Sequence, residues 1–172
     1  MIDPNEWEAV RPLFRTAFRT SLHFALASVD ADGAPRVTPI GTVLLAEPGH
    51  ALYFELFAHG LGARLSADPR VSVLAVDSGR LLWLRALWQV RFPRPPAARL
   101  VGRASPERRP PTEGERRRWE RRMGPVARLP GARRLWGELP WVRDLWIDRI
   151  DRVRIGPLTQ ASGEAPGRPA PG

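Results

Sequence analysis

The sequence predicts a mainly β, α+β protein built on an antiparallel sheet or barrel with flanking helices. Short apolar runs at 24–29, 36–46, 51–57 and 71–76 read as strands. Asp30-Ala31-Asp32-Gly33 and Glu47-Pro48-Gly49-His50 are strong turn signals that join the first three. A glycine-loosened turn and a short helix before Pro69 then lead into the fourth strand. The chain of 172 residues, 43% hydrophobic and 26% charged, suits one domain with a sizeable core.

The elements follow in order. Asp3 can cap a first helix, Pro4 fits its first position, and Glu6 completes an Asp-x-x-Glu box. Trp7, Val10, Phe14, Ala17 and Phe18 recur at helical spacing, so this helix, ending near Ser21, presents one apolar stripe to a body it does not belong to. The strands FALASV (24–29), 36–46 and ALYFELF (51–57) follow, then AHGLGARLSADPR (58–70) and the strand 71–76, ended by Asp77-Ser78-Gly79. LLWLRALWQVRF (81–92) places Leu81, Leu84, Leu87 and Trp88 on one helical face, although its length also permits a strand. Pro93, Pro95 and Pro96 stop it either way. ARLVGRAS (98–105) reads as a strand, and Thr112 with Glu115 sets up a capping box for a charged helix carrying Trp119, Met123 and Val126. Residues 127–143 look irregular, and 145–155 reads as a closing strand or strand pair kinked near Arg149. The expected organisation is an N-terminal helix (1–21) on a barrel domain (22–160) elaborated by helix at 106–143. A tail (161–172) with no core-forming residue is expected to be disordered.

Composition narrows the function classes. Zero cysteines excludes disulfides, thiolate metal sites and cysteine nucleophiles. No segment approaches the roughly 20 apolar residues of a membrane span, and MIDPNEWEAV lacks a signal-peptide layout, so the expectation is a cytoplasmic protein without a membrane partner. All 27 basic residues are arginine. Residues 1–80 carry 7 Arg against 9 acidic residues, whereas 81–172 carry 20 against 9. Part of that excess is dense at Arg108, Arg109, Arg116, Arg117, Arg118, Arg121 and Arg122. A nucleic-acid surface is one reading. A solvated helix whose arginines pair with Glu113, Glu115 and Glu120 is the preferred one, and no nucleic-acid partner is expected.

Few residues declare chemistry on their own. His23, His50 and His59 show no metal-ligand spacing, and no metal is expected. No GxSxG occurs, and the glycines of HGLGAR do not form GxGxxG, so neither a nucleophile elbow nor a dinucleotide fold is indicated. Backbone amides near Gly60 and the fork of Arg64, one turn into the short helix, are suited to a phosphate; a plain surface arginine is the alternative. The tryptophans of the second half can stack bases or, as preferred, fill core and dimer contacts, and Trp83 and Trp88 can equally wall a planar ligand.

The order FALASVDADGAPRVTPIG, ALYFELF, ARLSADPRVSVLAV resembles the pyridoxamine 5'-phosphate oxidase-like family of flavin-binding split barrels. The resemblance rests on an Asp-Gly-x-Pro hairpin, a Val-Thr-Pro strand, a strand ending in aromatics and a short helix entering Asp-Pro-Arg-Val-Ser. WLRAL, PPAARLVG and LWGELPWVRDL extend it to an uncharacterised subgroup. It implies a six-stranded split barrel, a homodimer, and flavin mononucleotide (FMN) at the dimer interface. By the same resemblance Arg36, Val37, Thr38, Pro39 and Ile40 run along the flavin ring. Tyr53, Phe54 and Glu55 flank the phosphate side, and His59 and Arg64 help hold the phosphate. Where many members carry serine, lysine and threonine, this chain has His59, Leu61 and Glu55. Those departures leave deazaflavin and haem as alternative cofactors, and pyridoxamine phosphate oxidation itself is not implied. The expected function is FMN-dependent oxidation or reduction of a small-molecule substrate, with no residue marked as a catalytic acid or base; a non-catalytic flavin-, deazaflavin- or haem-binding protein of the same fold is the alternative.

Overall fold

The two edges of the sheet are consecutive in the chain, and this fixes the architecture. The structure is a computed structural model that describes residues 2–56 and 60–159. Its strands are β1 (Phe24–Val29), β2 (Pro35–Ile40), β3 (Val43–Leu45), β4 (His50–Phe54), β5 (Arg70–Val76), β6 (Ala97–Ala104) and β7 (Val142–Val153). They pair antiparallel in the order β2-β1-β5-β6-β7-β4-β3. Seven flat strands would separate the outer two by about 29 Å at the usual inter-strand spacing. Yet β2 and β3 are linked only by Gly41 and Thr42, a span of about 11 Å at most. The sheet therefore curls into a half-barrel.

Six strands are expected from the sequence and seven form, because the run 36–46 is two strands divided at Gly41. A Cβ at Gly41 would approach the Leu22 carbonyl oxygen to 2.9 Å. Thr42, beside it, turns inward and donates its hydroxyl to the Phe54 carbonyl at 2.8 Å.

The first helix, α1 (Pro4–Ser21), buries Trp7, Val10, Leu13, Phe14, Ala17 and Phe18 against the sheet. Trp7 is fully buried, and its indole Nε1 donates to the Ala46 carbonyl at 3.0 Å. Asp3 does cap α1, accepting from the Asn5 amide, but the reciprocal half expected of Glu6 is not made. α2 (Leu61–Ala67) is the crossover between β4 and β5, pinned by the buried Leu61 and Leu65. Segment 81–92 resolves as a helix, α3 (Arg80–Gln89), of which only Ala86 is buried. α4 (Glu113–Met123) carries the complete Thr112–Glu115 capping box. The stretch expected to be irregular contains a 3-10 turn, Gly124–Arg128, and α5 (Pro130–Trp136). Trp119 of α4 meets Phe18, Phe54 and Trp136 with ring centroids 5.8–6.1 Å apart, tying these helices to the barrel. The kink anticipated near Arg149 is a register shift: Val101 faces Arg149 while Gly102 faces Ile147, so Asp148 is skipped. Gly102 is required there, because a Cβ would overlap the Trp146 carbonyl oxygen. The tail 161–172 lies outside the described residues.

A charged clamp joins the α4 elaboration to β7. Arg109 donates from Nε and Nη2 to Asp144 at 2.7 Å each, and from Nη1 and Nη2 to Glu115 at 3.0 and 2.7 Å. His50 Nε2 lies 2.9 Å from Asp144 Oδ1. Burial pushes both carboxyls up, but the Arg109 hydrogen bonds, with His50 at Asp144 and the Thr112 amide at Glu115, outweigh it and hold both below their ordinary values. A depressed carboxyl stabilises the fold above its unfolded pKa, roughly 3.9 for Asp and 4.3 for Glu, and the contribution is lost as pH falls through the lower folded value. Urea melts between pH 7 and pH 2 should show stability falling below about pH 4. Arg109→Gln should lower stability at neutral pH and flatten that acid limb; an unchanged limb would mean that other carboxyls govern it.

Candidate functional site

Arg64 is the centre of the site, and its position follows from how α2 is anchored. Leu61 and Leu65 bury one face of the helix, which leaves Arg64 half-buried and aimed at the strands of the hairpin. Its Nε donates to Ser28 Oγ of β1 at 3.2 Å, and its Nη2 to Thr38 Oγ1 of β2 at 3.4 Å. The guanidinium folds back over Gly60, whose φ of +79° suits glycine; a Cβ there would lie 3.2 Å from Nη1. No carboxylate lies within ion-pair distance of Arg64 among the described residues. A cation held between two hydroxyls and free of a carboxylate is a donor set suited to a phosphate.

The other predicted residues divide between two places. Thr38, Pro39 and Ile40 line a cleft of about 250 Å³ with Gly41, Thr42, Phe54, Leu56 and Trp136. Its walls are the backbone of β2 and aromatic and aliphatic side chains, which is a suitable lining for a planar ring. Phe54 is buried and packs on Trp119 at 5.8 Å. Val37 points to solvent on the other side of β2, and Arg36 pairs with Asp30 of the hairpin turn at 2.7 Å. The Ala31 amide and Arg36 hold the Asp30 carboxyl below its ordinary value.

Glu55 faces a different cleft. Its Oε2 accepts from Arg143 Nε at 2.9 Å, and Arg108 lies 4.0 Å from Oε1. The carboxylate rests on Gly62 in the first turn of α2, where a Cβ would overlap it. Tyr53, buried beside it, directs its hydroxyl at Glu55 Oε2 at 3.5 Å; burial and the Glu55 charge raise its pKa despite Arg143. Arg143 is nearly inaccessible and also donates to the carbonyls of Ser105 and Pro106 at 2.7 and 2.8 Å. The negative charge of Glu55 is thus matched by Arg143, so it does not oppose an anion at Arg64. His59 lies outside the described residues. Among them, no group of three or more histidines and carboxylates can hold a metal ion, and no helix is long and apolar enough to cross a membrane.

Ser28, Trp136 and Arg143 join these clefts without having been singled out as site residues. Ser28 sits mid-strand, and only the pairing of β1 with β2 brings it beside Thr38. Arg143 precedes the stretch that reads as a strand, and its partner Glu55 lies 88 positions earlier.

Solved structures share the fold, an α+β split barrel. An FMN-binding protein from Syntrophomonas wolfei is 13% identical, with TM-score 0.55 over 88% of this chain and 94% of that chain. The HupZ protein of Group A Streptococcus is 19% identical, with TM-score 0.54 over 87% of this chain and 92% of that one. An F420 reductase is 15% identical, with TM-score 0.51 over 81% and 97%. No curated protein matches the chain. The family model described as pyridoxamine 5'-phosphate oxidase matches residues 10–137, and the chain belongs to that family.

Proposed function

We propose that this protein binds FMN along β2, as a homodimer, and uses it to oxidise or reduce a small-molecule substrate. The observation that carries the reading is Arg64, a cation with no ion-paired carboxylate among the described residues, set between Ser28 and Thr38, the second of which lines the β2 cleft. In this reading Arg64, Thr38 and Ser28 hold the phosphate, while the backbone from Thr38 to Thr42 and the side chains of Phe54 and Trp136 take the ring. The bound flavin supplies hydride and electron transfer, and the protein supplies orientation and hydrogen bonds. The side chains lining the β2 cleft include no carboxylate, histidine or other ordinary acid or base, so the part of the chain there would be to bind and orient. Likeness in fold to an F420 reductase makes a deazaflavin the second candidate. The visible spectrum of the purified protein separates the readings: flavin bands support FMN, a Soret band would indicate haem instead, and a colourless protein that takes up no flavin would refute FMN and leave the deazaflavin as the next candidate.

The homodimer rests on two features. The β2 cleft of about 250 Å³ is smaller than the roughly 300–1,000 Å³ of pockets that enclose a ligand, so a second wall is needed. The face of α3 formed by Leu81, Leu84, Leu87 and Trp88 is also bare, with Trp88 90% exposed. Exposed apolar patches of this kind mark association surfaces. Sedimentation at micromolar concentration should give about twice 19.3 kDa; a monomer would contradict the shared site. No nucleic-acid partner is part of this proposal. On α4, Arg117 pairs with Glu113, and Arg118 and Arg122 turn inward to β3 carbonyls instead of forming an outward basic face.

A further inference from the structure

Those inward arginines create a second cleft, remote in composition from the β2 site. It has a volume of about 440 Å³, lies between α1 and α4 over the edge strand β3, and is lined by Arg11, Arg15, Arg19, Arg118, Arg121 and Arg122. Its floor is apolar, made of Phe14, Phe18, Leu44 and Leu45. Three of the arginines are fixed by the fold. Arg11 and Arg118 donate to the Leu45 carbonyl at 3.1 and 2.7 Å, and Arg122 donates to that of Val43. Arg122 also lies over the Phe18 ring at 4.2 Å, and burial pushes its guanidinium down to about 10. These contacts cap the carbonyls of an edge strand, a structural role.

That role does not account for the others. Arg15, Arg19 and Arg121 have no hydrogen-bond or carboxylate partner among the described residues, and the one carboxylate paired with a lining residue is Glu8, on Arg11 at 2.7 Å. Six guanidinium groups converging on one concave site repel one another, and a multivalent anion relieves that repulsion. Guanidinium forks match phosphate and carboxylate oxygens bidentately. The volume falls within the range of small-ligand pockets, and the Phe and Leu floor favours a ligand with an apolar or aromatic body.

We infer that the α1–α4 cleft binds a small organic polyanion, with two or more charges gathered by Arg15, Arg19 and Arg121 and an apolar body set on Phe14, Phe18, Leu44 and Leu45. A nucleoside polyphosphate has this chemistry. The test is calorimetric titration of the full chain at physiological salt with ATP, tripolyphosphate and a twelve-residue oligothymidylate. One saturable ATP site per chain is expected, with tripolyphosphate at least tenfold weaker because it lacks the body. Arg19→Ala combined with Arg121→Ala should weaken ATP at least tenfold with unchanged circular dichroism, whereas Arg85→Ala, on α3 and outside the cleft lining, should leave it unaltered. Absence of saturable ATP binding, indifference to the double substitution, or tripolyphosphate binding as tightly as ATP would each overturn the inference. So would oligothymidylate binding more tightly than ATP with the same sensitivity, which would make the cleft part of a nucleic-acid surface.

Discussion

Replacing Arg64 with alanine is expected to weaken FMN binding by about ten- to a hundredfold. A hydrogen bond to a charged group contributes roughly 1.5–3 kcal/mol, and each 1.4 kcal/mol is a factor of ten. Riboflavin, which lacks the phosphate, should bind parent and variant almost equally. The contrast between the two ligands matters, because Arg64 also donates to Ser28 and Thr38 and its loss removes two hydrogen bonds from the barrel wall. A general loosening of the fold would weaken both ligands together. A phosphate contact weakens only FMN. Fluorescence titration of both proteins with both flavins decides, and unchanged FMN affinity would place the phosphate elsewhere.

Arg143→Ala should cause the largest loss of stability, about 3–5 kcal/mol, as expected when one partner of a buried ion pair is removed. The side chain of Arg143 is 4% exposed and that of Glu55 12%, so the Glu55 carboxylate would be left nearly dry, with Arg108 at 4.0 Å as its nearest remaining cation. The carbonyls of Ser105 and Pro106 would lose their donor as well. Glu55→Gln should cost less: it leaves the Arg143 guanidinium without its counter-charge, but an amide oxygen still accepts from it and its hydrogen bonds to the Ser105 and Pro106 carbonyls remain. Urea denaturation would register this as a drop in midpoint at constant m-value. Equal losses in the two variants would argue that the broken charge pair, whichever partner is changed, sets the penalty; Glu55→Gln preserves the packing.

How much of this was legible in the sequence depends on whether a residue's role is local. The stripe Trp7, Val10, Phe14, Ala17 and Phe18 predicts α1 because helical spacing alone decides which residues face the sheet, and all five are buried. β1, β4 and β5 announce themselves by apolar runs between turn signals, and Thr112 with Glu115 marks the start of α4. The break at Gly41 was not readable, since its cause is a carbonyl contributed by Leu22. α3 stayed ambiguous because its apolar face is not buried in this chain, so neither periodicity nor length could settle helix against strand. α5 lies in a stretch with only Ala132 buried, which leaves no stripe to detect.

The site divides in the same way. Arg64 could be proposed because a glycine-flanked helix start is a local pattern, and its hydroxyl partners then follow from strand pairing. Arg143 could not, because a buried arginine is explained only by acceptors distant in sequence. The residues of the predicted β2 run divide between the two faces of the strand. Alternation along the strand sends Val37 to solvent while Thr38 faces Arg64, and Thr38, Pro39 and Ile40 line the cleft.

Titration of the parent protein with FMN, followed by quenching of flavin fluorescence and by sedimentation of the bound flavin with the protein, tests flavin binding most directly. Saturation at one FMN per chain, with riboflavin bound more weakly by the missing phosphate contact, is the predicted result. Uptake of neither flavin by the intact protein would contradict it.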